Sequence, residues 1–197
     1  MKLRESGMPE EVYWETLFDV GLILDRLRVD ARLRNVVELG CGYGTFTIPV
    51  AKRISGTLTA FDIDEAMVDR TRQRAATARA YNVVYAVRDV FADGFGGERA
   101  SKDACLLFNI LHCEEPARLL AKAAQVVRPG GAVLVIHWRC DPATPRGPNM
   151  EIRPRPEQIA SWAMETGLLE AEGPVIDLPQ WHYGLRLRRR QPKDDKE

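Results

Sequence analysis

The hydrophobic positions of the chain alternate between short apolar runs and longer segments with helical spacing. Five runs predict buried strands, at Val36–Leu39, Thr57–Phe61, Val83–Arg88, Asp103–Ile110 and Ala132–His137. Helical spacing predicts helices at Glu65–Arg79, Ala117–Val127 and Pro156–Gly167. Strands that alternate with helices indicate an α/β fold with a largely parallel sheet.

The two ends of the chain complete this pattern. Residues 9–28 predict one amphipathic helix, because apolar side chains recur there at spacings of three and four. Two further strands are expected at 168–178 and 183–190, with the arginines at 186, 188, 189 and 190 on an edge-strand face. We therefore predict a single domain over residues 1–190 and a flexible tail at 191–197.

A glycine-rich turn follows the first strand. Glu38 precedes Gly40, Gly42 and Gly44 in the segment NVVELGCGYGT, and glycines at these positions allow the backbone to approach a ligand closely. The loop of nicotinamide-dependent enzymes has the spacing G-x-G-x-x-G, and Thr45 stands where its last glycine would be. The spacing therefore disfavours a nicotinamide cofactor.

The acid and the alternate glycines resemble motif I, [DE]-x-G-x-G-x-G, of the class I S-adenosylmethionine-dependent methyltransferases. This resemblance implies that the cofactor is S-adenosylmethionine and that the product is S-adenosylhomocysteine. It assigns cofactor contacts to Glu38, Gly40, Cys41, Gly42 and Gly44. A carboxylate beside the loop suits the ammonium group of such a cofactor.

A second acid closes the next strand. Asp62 is placed to accept hydrogen bonds from ribose hydroxyls, as acids do at the end of the second strand of Rossmann-like folds. Asp64 and Glu65 are better explained as the N-cap and first turn of the following helix. The resemblance adds Ile63 and Met67 to the cofactor contacts.

Two later positions match further motifs of the same family. Asp89 and Val90 follow the third strand, where the resemblance implies contacts to adenine, and Asn109 follows the fourth. The alternative for Asp89 is a turn aspartate that binds only its own backbone.

The resemblance extends over about residues 35 to 139. It includes the segment RPGG at 128–131, which is predicted to form a tight turn between a helix and the fifth strand. It implies a Rossmann-like three-layer sandwich. Its seven-stranded, mostly parallel sheet would have the order 3-2-1-4-5-7-6 and end in an antiparallel C-terminal hairpin.

Composition limits the partners. The 28 basic and 28 acidic residues balance, so nucleic acid is disfavoured as a substrate and a small-molecule acceptor is expected. The first residues lack a signal-peptide core and the apolar runs are too short to span a membrane, which predicts a cytoplasmic protein without membrane contact. The cysteines, at positions 41, 105, 113 and 140, form no CxxC pair and are expected to be reduced thiols.

The acceptor site is less well defined by the sequence. A proline-rich loop after the fifth strand carries Arg139, Arg146 and Arg153, which could clamp an anionic small acceptor. The alternative is a solvated loop with salt bridges. Trp14 could face the sulfonium of the cofactor from the N-terminal helix, or it could belong to the core.

These residues predict a methyltransferase that acts on a small molecule by in-line displacement, in which proximity supplies most of the catalysis. His112 and His137 are the candidates for a general base, and the alternative for each is a structural role. His112, Cys113, His137 and Cys140 could also converge as soft ligands, although their spacing matches no zinc motif and no metal is predicted. The alternative function is a non-catalytic, S-adenosylmethionine-binding partner or regulatory subunit.

Overall fold

One twisted sheet of eight strands organises residues 8–192, which are the residues that this computed structural model describes. The strand order is β3-β2-β1-β4-β5-β8-β6, and β7 also pairs with β8. The first five strands are parallel, whereas β8 runs antiparallel to β5, β6 and β7. The strands are β1 (Asn35–Leu39), β2 (Thr57–Asp62), β3 (Val83–Val87), β4 (Lys102–Phe108), β5 (Val127–Trp138), β6 (Leu169–Ala171), β7 (Ile176–Leu178) and β8 (His182–Arg189).

Helices cover both faces of the sheet, which confirms the predicted three-layer Rossmann-like class. One apolar cluster joins one sheet face to α2 and α3, and a second cluster joins the other face to α6 and α7. The helices are α1 (Glu11–Glu15), α2 (Val20–Arg26), α3 (Thr47–Arg53), α4 (Glu65–Thr77), α5 (Val90–Asp93), α6 (Pro116–Val126) and α7 (Pro156–Glu165), with a 3-10 turn at Met150–Ile152. None of the helices within residues 8–192 is long and apolar enough to cross a membrane.

The extra strand arises because the predicted strand at 168–178 is interrupted. Its two pieces, β6 and β7, pair with the same strand but in registers that differ by two residues. Gly173, with a φ of +84°, lies in the segment between them. A glycine and a proline in this segment favour such an irregularity. With β6 and β7 counted as one interrupted strand, the order matches the predicted 3-2-1-4-5-7-6.

The prediction that the arginines of the last strand lie on an edge-strand face is wrong, because β8 has hydrogen-bonded neighbours on both sides, as the predicted strand order requires. Two of its arginines form contacts within the fold, whereas Arg188 is exposed. Arg186 pairs with Glu172 at 3.0 Å, and Arg189 donates to the Val127 carbonyl.

The single helix predicted at residues 9–28 is also wrong, since the chain forms α1 and α2 with a linker at residues 16–19. Asp19 causes the break: its side chain accepts a hydrogen bond from the Leu22 amide at 3.0 Å and so caps α2. The shorter α1 has no buried residue. The predicted tail at 191–197 lies largely outside the described residues, which end at residue 192.

Candidate functional site

The glycine-rich loop connects β1 to α3 at the carboxyl edge of the sheet. The amides of Gly40 and Cys41 donate to the Phe61 carbonyl at 2.8 and 3.0 Å, which fastens the loop to the end of β2. Gly44 has a φ of +81°, and a Cβ there would lie 3.1 Å from a methyl of Thr71. Thr71 Oγ1 also donates to the Gly42 carbonyl at 2.7 Å. The loop is thus held in one shape that glycine suits best.

Two carboxyl groups lie beside this loop. Glu38 is only 2% exposed and accepts a 2.6 Å hydrogen bond from Thr47 Oγ1. Asp62 accepts from the amides of Gly42 at 2.9 Å and Asp64 at 3.1 Å. Thr47 and Thr71 were missed by the sequence analysis; the only available signal was a polar residue on an apolar helix face.

Burial disfavours the charged form of both acids. It raises the pKa of Glu38 to about 8 against the opposing hydrogen bond from Thr47, and the nearby Asp62 raises it further. Burial also raises the pKa of Asp62, although three backbone amides oppose this shift. Two neighbouring carboxyl groups with raised pKa values, such as Glu38 and Asp62, are typical of a site that binds a cation.

Two buried polar atoms at the same edge have no hydrogen-bond partner within residues 8–192. They are Thr45 Oγ1, directly after the glycine loop, and Asn109 Oδ1, directly after β4. The Asn109 amide donates to the Ile136 carbonyl at 2.8 Å, and its φ of +57° is unusual for a residue other than glycine. Buried polar atoms normally have partners, so these two indicate a ligand that forms hydrogen bonds.

The other predicted cofactor residues lie along the same edge. Ile63 is 45% exposed beside Asp62, and Met67 lies in the first turn of α4. Asp89 accepts a hydrogen bond from the Phe91 amide at 2.9 Å and caps α5. This is the backbone contact that the alternative for Asp89, a turn aspartate, predicts. Val90 is buried.

The N-terminal segment crosses the glycine loop. A Cβ at Gly42 would lie 3.2 Å from the methyl of Met8, and Tyr43 Oη donates to the Pro9 carbonyl at 3.1 Å. Arg74 of α4 donates to the Tyr43 carbonyl at 2.7 Å and pairs with Glu15 of α1. A second contact joins Arg70 of α4 to Glu11 of α1 at 2.7 Å. A groove of about 690 Å³ runs between α1, α3 and α4 on the outer side of the loop.

The arginines predicted to clamp the acceptor are mostly used by the protein itself. The guanidinium of Arg153 is buried and donates to the carbonyls of Pro148, Arg139 and Arg146 and to the Thr144 hydroxyl. Its predicted substrate contact is therefore wrong, because these bonds leave it organising the loop. Arg139 pairs with Asp177. Arg146 contributes its carbonyl to the bond with Arg153.

The histidine candidates come together. Nδ1 of His112 lies 3.4 Å from Nε2 of His137, and Nδ1 of His137 lies 3.4 Å from the Trp138 carbonyl. Burial, with a contribution from His112, lowers the pKa of His137 well below its ordinary value. The soft-ligand hypothesis fails, because Cys140 donates to the Arg153 carbonyl and no group of three His, Cys, Asp or Glu residues in the described chain could hold a metal. All four cysteines are free thiols.

Trp14 packs among aromatic rings. Its ring centroid lies 4.9 Å from that of Phe18 and 6.4 Å from that of Trp138. These contacts favour the core alternative over a contact to the cofactor. His182 belongs to the same group of rings and was missed by the sequence analysis, since nothing in the local sequence WHYG signals that it is buried.

Comparison with known proteins supports the class that this site defines. Residues 36–131 match the family model of a methyltransferase domain. A solved S-adenosylmethionine-dependent methyltransferase from Aquifex aeolicus superposes with a TM-score of 0.78 at 19% identity, over 90% of this chain and 93% of that one. These matches confirm the predicted resemblance to the class I S-adenosylmethionine-dependent methyltransferases.

Three curated relatives are longer proteins. An uncharacterised 37.1 kDa protein of transposon TN4556 from Streptomyces fradiae is 31% identical over 75% of this chain and 45% of its own length. A 23S rRNA (uracil-C5)-methyltransferase from Alcanivorax borkumensis is 31% identical over 64% of this chain and 27% of its own length. A ribosomal protein L11 methyltransferase from Bradyrhizobium diazoefficiens is 36% identical over 55% of this chain and 39% of its own length. The chain thus spans less than half the length of each.

The residues at the loop fit S-adenosylmethionine. This cofactor carries an ammonium and a sulfonium, which match the two carboxyl groups with raised pKa values. The unpartnered oxygens of Thr45 and Asn109 are acceptors that its donors can use.

Proposed function

We propose that this chain transfers a methyl group from S-adenosylmethionine to a small-molecule acceptor by in-line displacement, in the cytoplasm. The observation that supports the proposal best is the convergence of Glu38 and Asp62 on a rigid glycine loop, with the pKa of both carboxyl groups raised by burial. The proposed cofactor residues are Glu38, Gly40, Cys41, Gly42, Gly44, Asp62, Ile63, Met67, Asp89, Val90 and Asn109.

When bound, the cofactor supplies a methyl group activated by a positively charged sulfur. The task of the protein is then to position the two reactants and exclude water, and alignment of this kind contributes roughly 7 to 11 kcal/mol to the rate. Glu38 and Asp62 balance the positive charges, and the N-terminal segment around Met8 and Pro9 covers the loop.

If the acceptor must lose a proton, His112 is the proposed base. The Trp138 carbonyl only accepts, so neutral His137 carries its proton on Nδ1 and offers Nε2 as an acceptor. His112 then donates from Nδ1, and its own Nε2 keeps the lone pair that a base needs. His137 is thus proposed as a positioning residue for His112.

Calorimetric titration with S-adenosylmethionine, S-adenosylhomocysteine and NAD tests the cofactor. We expect micromolar binding of the first two and none of NAD. Asp62→Asn should weaken adenosyl binding at least tenfold, because it replaces one of the two acceptor oxygens proposed for the ribose with a donor and removes the negative charge. Asp64→Asn is the matched control: the Asp64 side chain accepts from the Ala66 amide at the start of α4, asparagine keeps this acceptor, and the replacement should leave binding unchanged.

Release of S-adenosylhomocysteine in the presence of small acids, phenols and thiols then tests turnover. Adenosyl binding without turnover of any acceptor would favour the alternative of a non-catalytic partner subunit. Absence of adenosyl binding would contradict the proposal itself.

A further inference from the structure

Six aromatic rings pack together beside the glycine loop, where β4 and β5 end and β8 begins. They belong to Trp14, Phe18, Phe46, Phe108, Trp138 and His182. Phe18 lies at the centre: its ring centroid is 5.2 Å from that of Phe46, 6.1 Å from Trp138 and 4.6 Å from His182. The sheet and the residue that precedes α3 supply four of the rings, whereas Trp14 comes from α1 and Phe18 comes from the linker between α1 and α2.

His182 is an anomaly within this group. Its side chain is 1% exposed, and neither Nδ1 nor Nε2 has a hydrogen-bond partner in the described chain. A neutral imidazole has one donor and one acceptor, and leaving both unmet in the interior costs free energy. Buried polar atoms normally have hydrogen-bond partners, so the two nitrogens of His182 indicate a ligand that forms hydrogen bonds.

The charges around His182 limit what that ligand can be. Burial lowers the pKa of His182 to about 3, and the guanidiniums of Arg139 and Arg153 lower it further. Nε of Arg139 is also buried without a partner in residues 8–192. Asp177 pairs with Arg139, but two guanidiniums and the unused donors of Arg139 and His182 face this point. These groups disfavour a cationic amine and favour an oxygen-bearing neutral or anionic group.

We propose that the rings of Phe46, Phe108, Trp138 and His182 form the methyl-acceptor pocket, that Phe18 fills it when no acceptor is bound, and that the acceptor is a flat aromatic compound carrying a hydroxyl or carboxylate. This inference rests on the proposed function, since it names the acceptor class of the same site. Phe46 lies two residues after Gly44, so a ring in this pocket is adjacent to the proposed cofactor site.

Phe18 can leave without unfolding the sheet. Residues 16–19 are irregular, and α1 has five residues, none of them buried. A helix this short has little stability of its own. Its ion pairs with Arg70 and Arg74 are partly exposed, so they hold it weakly. The next helix stays in place, because Ile23 and Leu24 are fully buried and Asp19 caps it.

Removal of the Phe18 ring is the first test. Phe18→Ala is titrated calorimetrically with 4-hydroxybenzoate, toluene and benzyltrimethylammonium, with S-adenosylhomocysteine bound. Phe95→Ala is the matched control, because Phe95 is a buried phenylalanine on the other face of the sheet. We expect both cavities to bind toluene, but only Phe18→Ala to bind 4-hydroxybenzoate at least tenfold more tightly than the wild-type chain. Neither variant should bind benzyltrimethylammonium.

Replacement of the histidine is the second test, and it does not depend on Phe18→Ala folding. His182→Phe should weaken 4-hydroxybenzoate at least fivefold and leave toluene binding unchanged, while the melting temperature stays the same or rises. A purely structural histidine would give no change in 4-hydroxybenzoate affinity. Should Phe18→Ala fail to fold, Phe18→Leu is expected to show the same preference with about a threefold gain.

The results separate the two proposals. Absence of S-adenosylhomocysteine binding to the wild-type chain would overturn the proposed function. Normal S-adenosylhomocysteine binding with equal 4-hydroxybenzoate affinity in Phe18→Ala and Phe95→Ala, or tight binding of benzyltrimethylammonium, would overturn the acceptor pocket alone.

Discussion

The two halves of the carboxyl edge are built in different ways. The half around β1 and β2, which we call the cofactor half after its proposed role, consists of residues close together in sequence. Backbone amides hold it: Gly40 and Cys41 bind the end of β2, and Asp62 binds Gly42. The half around β5 and β8, which we call the acceptor half after its proposed role, is assembled from side chains far apart in sequence, such as Phe18 and His182 at 4.6 Å. Local sequence therefore specifies the first half, and tertiary packing specifies the second.

The largest effect should come from Glu38 and its buried carboxyl. Its pKa is raised to about 8 from a usual 4.5, so the folded chain holds a proton that the unfolded chain has lost. The free energy of unfolding should therefore fall as pH rises from about 4.5 to about 8 and stay level above. At about 1.4 kcal/mol per pKa unit, the effect is on the order of 5 kcal/mol.

Urea unfolding of the wild-type chain and of Glu38→Gln between pH 5 and pH 9 measures this pH dependence of the free energy of unfolding. The variant keeps an acceptor for the Thr47 hydroxyl, and its stability relative to wild type should increase with pH. A pH-independent difference between the two chains would show that Glu38 is ionised throughout. Calorimetry in two buffers at pH 7 should also show proton release when S-adenosylmethionine binds the wild-type chain but not the variant.

The next effect concerns the acceptor half alone. Arg153→Met removes the donors that bind three carbonyls and the Thr144 hydroxyl, and it should cost about 3 kcal/mol of stability. S-adenosylmethionine affinity should not change, because the proline-rich loop that Arg153 holds together lies outside the cofactor half. The exposed Arg188→Met on β8 serves as the control and should be nearly neutral in urea unfolding. Loss of cofactor affinity in Arg153→Met would show that the two halves are coupled.

Gly44→Val should act mainly on the cofactor half. Its φ of +81° costs a side chain about 1–2 kcal/mol, and the Cβ would crowd Thr71 at 3.1 Å. Gly94→Val also has a backbone cost, at a φ of +66° and a ψ of −175°, but no atom lies within 4 Å of its Cβ. Titration calorimetry should show at least a tenfold loss of S-adenosylmethionine affinity for Gly44→Val and little change for Gly94→Val. Equal losses would contradict a role for the loop shape.

The smallest effect is on the contact between α1 and α4. Arg74→Met removes the bonds to Glu15 and the Tyr43 carbonyl, and it should cost no more than about 1 kcal/mol because these groups are partly exposed. Stopped-flow fluorescence should show faster association and release of S-adenosylmethionine. Arg72→Met, which breaks an exposed contact with Asp69 on the same helix and a cation–π contact with the Tyr85 ring on β3, should leave both rates unaltered.

The sequence predicted the cofactor half well because its signals are local. A strand, a glycine turn and an acid at the next strand end lie within 28 residues, from Asn35 to Asp62. The class of fold was predicted from the alternation of strands and helices along the chain. The cofactor role of each residue stays a prediction until binding is measured.

The acceptor half was predicted poorly for a physical reason. Arg153 was expected to face a substrate, but nothing in its neighbourhood of prolines indicates which carbonyls surround it once the loop closes. His182 gave no signal, since its burial depends on β8 lying between β5 and β7. The break between α1 and α2 was missed because the apolar spacing runs through Asp19, whose capping bond interrupts the helix.

The interior position of β8 also has a consequence for synthesis of the protein on the ribosome. All strands of the cofactor half have been made once β5 emerges from the ribosome. The strand that pairs with the outer edge of β5 is β8, and β8 begins only at His182. At roughly 5–20 residues per second, the edge of β5 stays unpaired for a few seconds. During that interval the nascent chain exposes a long apolar strand edge to other chains, so this stage is the one at which a chaperone would most improve the yield of folded protein.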